Sequence, residues 1–158
     1  MALIVIPLIF LIFAYHSMDH EIEYLQQTIH YIQYLGGYPL AFSRKKNCGT
    51  LYMSKDKIIF WNNDKNETLF EIPVQQIKNC TLETKESLTG GKIVLFRIFA
   101  CALKKNKKYI RIEFKNELDD FNNVVFYSPI TPSEPIIQTI NESRIDFIKN
   151  KRFERGAV

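Results

Sequence analysis

Lysine and arginine are missing from the first 37 residues of this 158-residue chain. Asp19, Glu21 and Glu23 give that stretch a charge of −3, while residues 38–158 carry all 21 basic side chains and 14 acidic ones, a net of +7. Cysteine and histidine are scarce, at three each. Cys48, Cys80 and Cys101 lie far apart with no C-x-x-C pair, which excludes a disulfide-stapled miniprotein. Their apolar strand contexts read as free, buried thiols in a reducing compartment. His16 and His20 share a face if helical, with Glu23 three residues on, but no H-E-x-x-H or completing ligand follows, so no metal is expected. Neither Gly36-Gly37 nor Gly90-Gly91 belongs to a phosphate loop, and no G-x-S-x-G elbow occurs. Asp119-Asp120 sits in a polar loop without a partner histidine. No catalytic residue and no cofactor are therefore expected. Basic and aromatic residues do not interleave, and a net +4 is modest, so nucleic acid is not an expected partner.

What is present is ordinary globular material. Hydrophobic residues make up 46% and aromatics 13%, which excludes a disordered chain. At ~100–200 residues per domain, the length allows one domain and a short appendage.

The longest apolar run is residues 2–15, ALIVIPLIFLIFAY, interrupted only by Pro7. As a helix it reaches ~21 Å, short of a ~30 Å bilayer core. No basic residue precedes it and no Ala-x-Ala-like site follows, so it is a poor secretory signal. Three readings stand: a membrane anchor extended through His16 and Ser17, a segment whose natural start lies upstream or at Met18, or a helix or strand packed on the domain. The first basic residue is Arg44, so the positive-inside rule has nothing to count.

Residues 19–35 predict a helix. Asp19 can cap it, Glu21 and Glu23 suit its first turn, and Ile22, Leu25, Ile29 and Ile32 recur at spacings of three, four and three. Gly36-Gly37 ends it. A second helix is predicted after Thr131-Pro132-Ser133-Glu134, a capping box with proline at the first helical position. Ile136, Ile137, Ile140, Phe147 and Ile148 form its apolar face, and Lys149, Lys151, Arg152 and Arg155 make its end basic.

Between residues 38 and 128 the period changes to two. Predicted strands are Pro39–Phe42, Cys48–Ser54, Lys57–Trp61, Thr68–Ile72, Ile77–Glu86, Ile93–Leu103, Tyr109–Phe114 and Val124–Tyr127. Lys55-Asp56 and Asn62–Asn66 are turns. This row of hairpins closed by one amphipathic helix predicts a small barrel or an orthogonal sandwich.

The run Gly49-Thr50-Leu51, Ile58-Ile59-Phe60, then Leu69-Phe70-Glu71-Ile72-Pro73-Val74-Gln75-Gln76-Ile77 resembles the bacterial PH-like and GRAM-like domains, whose pattern is G-x-L, I-x-F and I-P-x-x-x-I. The resemblance covers about residues 38–150. It implies a mainly β fold with helices: a PH-like, bent seven-stranded barrel capped by a C-terminal α-helix. Here that barrel is preceded by a hydrophobic segment over 1–17 and a helical linker over 18–37, leaving the domain proper at 38–158.

Two basic clusters stand out. By resemblance, Arg44, Lys45 and Lys46 occupy the first hairpin, where lipid-binding PH domains hold an anionic headgroup. Lys104, Lys105, Lys107 and Lys108 form a second basic hairpin, and solvated hairpin tips are the plainer account of both clusters. The expected function is a non-enzymatic binding or adaptor module, membrane-associated with its barrel on the cytoplasmic side. Its partner would be a membrane protein, another protein or an anionic lipid. The alternative is a soluble barrel that carries a small apolar ligand inside.

Overall fold

The computed structural model describes residues 25–38, 47–90 and 103–156. The apolar run 2–15, the predicted strand at 39–42, Arg44–Lys46 and most of Ile93–Leu103 lie outside the described residues. The described strands are β1 (Leu25–Gly36), β2 (Asn47–Ser54), β3 (Lys57–Asn62), β4 (Glu67–Pro73), β5 (Ile77–Glu83), β6 (Tyr109–Lys115) and β7 (Phe121–Tyr127). A 3₁₀ turn, Val74–Gln76, joins β4 to β5. Two helices follow in chain order, α1 (Lys85–Gly90) and α2 (Ser133–Gly156).

The strands form one antiparallel sheet in the order β4-β3-β2-β1-β7-β6-β5. The middle strands stand where the alternation placed them. The β2–β3 turn is the expected Lys55-Asp56, held by Ser54 Oγ, which accepts from the Lys57 N–H at 3.1 Å. Asn62 fixes the β3–β4 turn by accepting from the Asp64 and Lys65 N–H groups.

Three expectations need correction. The first is the helix over 19–35: residues 25–36 are β1, a central strand paired with β2 on one side and β7 on the other. The misleading spacing has a physical origin. The register shifts between Ile29 and Ile32, and Tyr31 sits at φ 58. This bulge inserts an extra residue, so two residues three apart both face the core, as they would on a helix. Ile29 and Ile32 are accordingly both buried. Thr28, Ile29, Tyr31, Ile32 and Tyr34 also favour strand over helix. The helical linker over 18–37 is thus replaced, from Leu25 onward, by part of the sheet itself.

The second correction concerns closure. The sheet is not closed into a barrel: β4 and β5 are its two edges. Between β4 and β6 stands the ring of Tyr38, stacked on Phe70 of β4 (centroids 4.5 Å, 10°) and on Phe114 of β6 (5.7 Å, 13°). The edge of β5 is covered by α2 instead of β4. Asn141 donates its side-chain N–H to the Cys80 carbonyl at 3.0 Å, and the Arg144 guanidinium donates to the Lys78 carbonyl.

The third correction concerns β5 and α2. β5 stops at Glu83, and Thr84 starts α1 with reciprocal hydrogen bonds to Ser87. On α2, Ile136 and Ile140 are buried and Ile137 and Phe147 pack beside them, but Ile148 is 44% exposed.

Tyr34, Phe60, Phe70 and Phe126 meet with ring centroids 5.1–6.2 Å apart, surrounded by aliphatic side chains from β1–β7 and α2. Leu35, Leu88, Leu103, Tyr109 and Val125 form a second buried cluster.

Candidate functional site

The open seam builds the site. Gly36 and Gly37 adopt φ 134 and 109, a conformation open to glycine, and turn the chain after β1. An ideal Cβ on Gly37 would stand 1.8 Å from the Asn123 carbonyl oxygen, so the second glycine is also required by close approach to β7. This reversal brings the Tyr38 N–H to the Tyr34 phenol oxygen at 2.8 Å and the Tyr38 ring into the seam.

Beside that ring lies a cleft of about 500 Å³, lined by Tyr38, Glu71, Pro73, Phe114, Glu117 and Leu118 among others. Its far wall is the β6–β7 turn, and Asn116 makes that turn rigid. Asn116 Oδ1 accepts from the N–H groups of Leu118 and Asp120, both at 2.9 Å. Its backbone N–H donates to the Asp120 carbonyl, and its carbonyl accepts from Asp119. Asp119 has φ 65 and pairs with Lys115 at 2.6 Å. The turn thereby presents Leu118 with 81% of its surface exposed.

The cleft is acidic at its rim and aromatic at its base. Glu71 pairs with Lys57 at 2.9 Å, whereas Glu117 has no ion-pair partner among the described residues. Burial raises the Tyr38 phenol above its ordinary pKa, and the negative charges of Glu117 and Glu71 push it the same way. Such a surface suits an apolar segment carrying positive charge, and opposes an anion.

Neither sequence-derived basic cluster is among the described lining of this cleft. Arg44, Lys45 and Lys46 belong by chain order to the β1–β2 connection, outside the described residues. Of the second cluster, Lys108 pairs with Glu134 at 2.6 Å and Lys107 stands 5.6 Å from the centre of the Tyr127 ring. The backbone of Lys104 is pinned by Tyr109, whose hydroxyl accepts from the Lys104 N–H at 2.7 Å. Lys104 and Lys105 keep exposed ammonium groups without ion pairs among the described residues. The hydrogen bond from Lys108 holds the Glu134 carboxyl below the usual carboxylate range. Two members of this cluster are thus engaged in local structure.

His30 is exposed on β1, with Nδ1 3.5 Å from Thr50 Oγ1; His16 and His20 lie outside the described residues. Cys48 is half-buried and Cys80 buried, and both are free. Burial pushes the Cys80 thiol up to about 12, against a smaller opposing effect of Arg144. Among the described residues no three His, Cys, Asp or Glu side chains gather as a metal site, and no helix is long and apolar enough to cross a membrane. Arg111 is tied to Asn123 at 2.8 Å, Glu83 at 3.4 Å and Glu113 at 3.6 Å, a network that locks β5, β6 and β7 together.

The cleft was not legible in the sequence, because Tyr38, Glu71 and the Phe114–Glu117 stretch come from three separate segments. The available signals were a glycine pair followed by an aromatic residue, and the Asn116–Asp120 turn.

No protein-family model matches the chain, and no curated protein does. Among solved structures, the chain is similar to the C-terminal domain of an unknown protein from Leishmania infantum, at 12% identity and a TM-score of 0.45, over 81% of this chain and 92% of that one.

Proposed function

We propose that this chain is a non-enzymatic, PH-like binding module that works at a membrane and engages a protein partner in the cleft between β4 and β6. The observation that carries this is the seam itself, an open, concave surface with an aromatic base and a rigid wall. Surfaces with a few polar groups around an apolar floor are where binding energy concentrates. The seven strands followed by a helix packed on β5 favour the PH-like assignment. The filled interior, where Tyr34, Phe60, Phe70 and Phe126 touch one another, favours this reading over a carrier of an internal ligand. Membrane attachment rests on the apolar run 2–15, and a cytoplasmic face on the free thiols of Cys48 and Cys80. The acidic rim favours a protein over an anionic lipid in this cleft; a lipid headgroup would belong to Arg44–Lys46.

Photocrosslinking in cells expressing the full chain tests the proposal. Benzoylphenylalanine at position 118 should give a discrete protein adduct that disappears in a Glu117→Lys background. The same label at Lys65, on the β3–β4 turn, should not give it. No adduct from 118, or the same adducts from both positions, overturns the reading.

A further inference from the structure

The distal half of α2 has a composition unlike the half that packs on the sheet. Ile145 and Ile148 are 42% and 44% exposed, although both are large aliphatic residues on a long helix. At 100° per residue, positions 145, 148, 149 and 151 share one side of the helix. These are two isoleucines and two lysines, with no acidic residue. Asp146 falls on the opposite side, and Glu142 just outside the edge of the basic one.

Beneath this side runs a groove of about 270 Å³ along the 3₁₀ turn, with Val74, Ile77, Phe147 and Ile148 as its apolar part and Lys151 at its rim. Lys151 lies 5.9 Å from the centre of the Phe147 ring, and Lys149 reaches Asp146 only at 4.0 Å. Arg144 is not part of the free charge, because its guanidinium is spent on the β5 edge.

We propose that this face docks on an anionic lipid surface, with Ile145 and Ile148 entering the headgroup boundary and Lys149 and Lys151 meeting lipid charge. Exposed aliphatic residues interleaved with cations, on one side of a helix lacking acids, match such an interface in both polarity and sign. The inference rests on the membrane part of the function proposed above and not on the cleft. It draws on no residue of Arg44–Lys46, which belong by chain order to the β1–β2 connection.

The chain contains a single tryptophan, Trp61, so a full-length Trp61→Phe, Ile148→Trp variant reports on this face alone. Ile145→Trp serves as a second reporter. The probes are vesicles of brominated phosphatidylcholine, with and without phosphatidylserine. Both reporters should be quenched on the anionic vesicles and much less on the neutral ones. Adding Lys149→Glu and Lys151→Glu should weaken the quenching titration by about tenfold or more, and rising salt should do the same. Equal quenching on neutral vesicles overturns the proposal. So does a chain that co-sediments with vesicles while its reporters stay unquenched, a result that would leave membrane attachment through residues 1–17 or Arg44–Lys46 standing. Loss of the crosslink from position 118, by contrast, bears only on the cleft.

Discussion

The backbone N–H of Tyr38 donates to the phenol oxygen of Tyr34 at 2.8 Å, so the residue that wedges the seam is anchored by one in the centre of the core. Tyr34 is buried and touches the rings of Phe60, Phe70 and Phe126. Its hydroxyl is therefore a polar group kept inside because it has a backbone donor to receive. Tyr34→Phe should cost about 1–3 kcal/mol, because the Tyr38 N–H loses that acceptor. Tyr38→Ala should cost about 2–4 kcal/mol through loss of the stack between Phe70 and Phe114. Tyr38→Phe should cost less than either, since the hydroxyl makes only a 3.5 Å contact to the Glu71 carbonyl. Urea unfolding midpoints rank the three variants, and a Tyr38→Phe as damaging as Tyr38→Ala would refute the role given to the ring.

Alanine is expected to fail at two glycines for related reasons. At Gly37 a Cβ meets the Asn123 carbonyl oxygen at 1.8 Å, and φ is +109. At Gly49 it meets the Trp61 carbonyl oxygen at 2.1 Å and the Phe60 ring at 2.6 Å. Each neighbour includes backbone in a paired strand and cannot swing aside. Gly37→Ala and Gly49→Ala should each destabilise by at least about 2 kcal/mol. Lys65→Ala on the exposed turn should stay within about 0.5 kcal/mol. Thermal melts of the three variants measure the contrast.

The edge of β5 gives a prediction about association as well as stability. An uncovered edge strand pairs readily with other chains. Asn141→Leu and Arg144→Met would each keep much of the side-chain volume while removing the donor to the Cys80 or Lys78 carbonyl. Each should cost about 1–3 kcal/mol, and the double variant should self-associate at concentrations where the parent does not. Light scattering across a concentration series decides this.

Two buried acids set the alkaline limit. Burial pushes Tyr34 from its ordinary 10.0 to about 12 and Cys80 from 9.0 to about 12. The unfolded chain releases these protons first. Their contribution is complete below about pH 9 and is lost as the pH rises toward 12. Stability should accordingly fall across that interval, and Cys80 should resist iodoacetamide until the chain is unfolded, as peptide mass mapping would show. At the acid end, Glu134 is held below its ordinary 4.5 by Lys108. That contribution is present above 4.5 and fades as the pH falls through the lower folded value. Lys108→Ala should return the Glu134 carboxyl resonance to an ordinary titration, with little change in stability because the pair is exposed.

How much of this was legible in the chain depended on locality. β2, β3 and β4 alternate over most of their length and are joined by turns that their own Ser54 and Asn62 side chains close, so their sequence signal is local. β1 was obscured because its bulge at His30-Tyr31 converts a two-residue period into a three-residue one. The α2 stripe was read correctly at Ile136 and Ile140. The stripe departs from burial at Ile148, where the helix borders an open groove. The cleft depends on pairings between distant strands, so no local pattern encodes it. The Lys104–Lys108 cluster was visible as charge, but its commitments to Glu134 and Tyr127 were not.

The middle of the sheet joins its first strand to its seventh, with Gln33 opposite Tyr127. That ladder cannot form until nearly all of the β segment has left the ribosome, and α2, which seals the β5 edge, is made later still. A nascent chain carrying only β1–β4 would lack the β7 partner of β1, and a pairing so distant in sequence is expected to form late. The rate of assembly, more than final stability, is where this topology leaves the chain most exposed to aggregation, and where a chaperone would have the most to do.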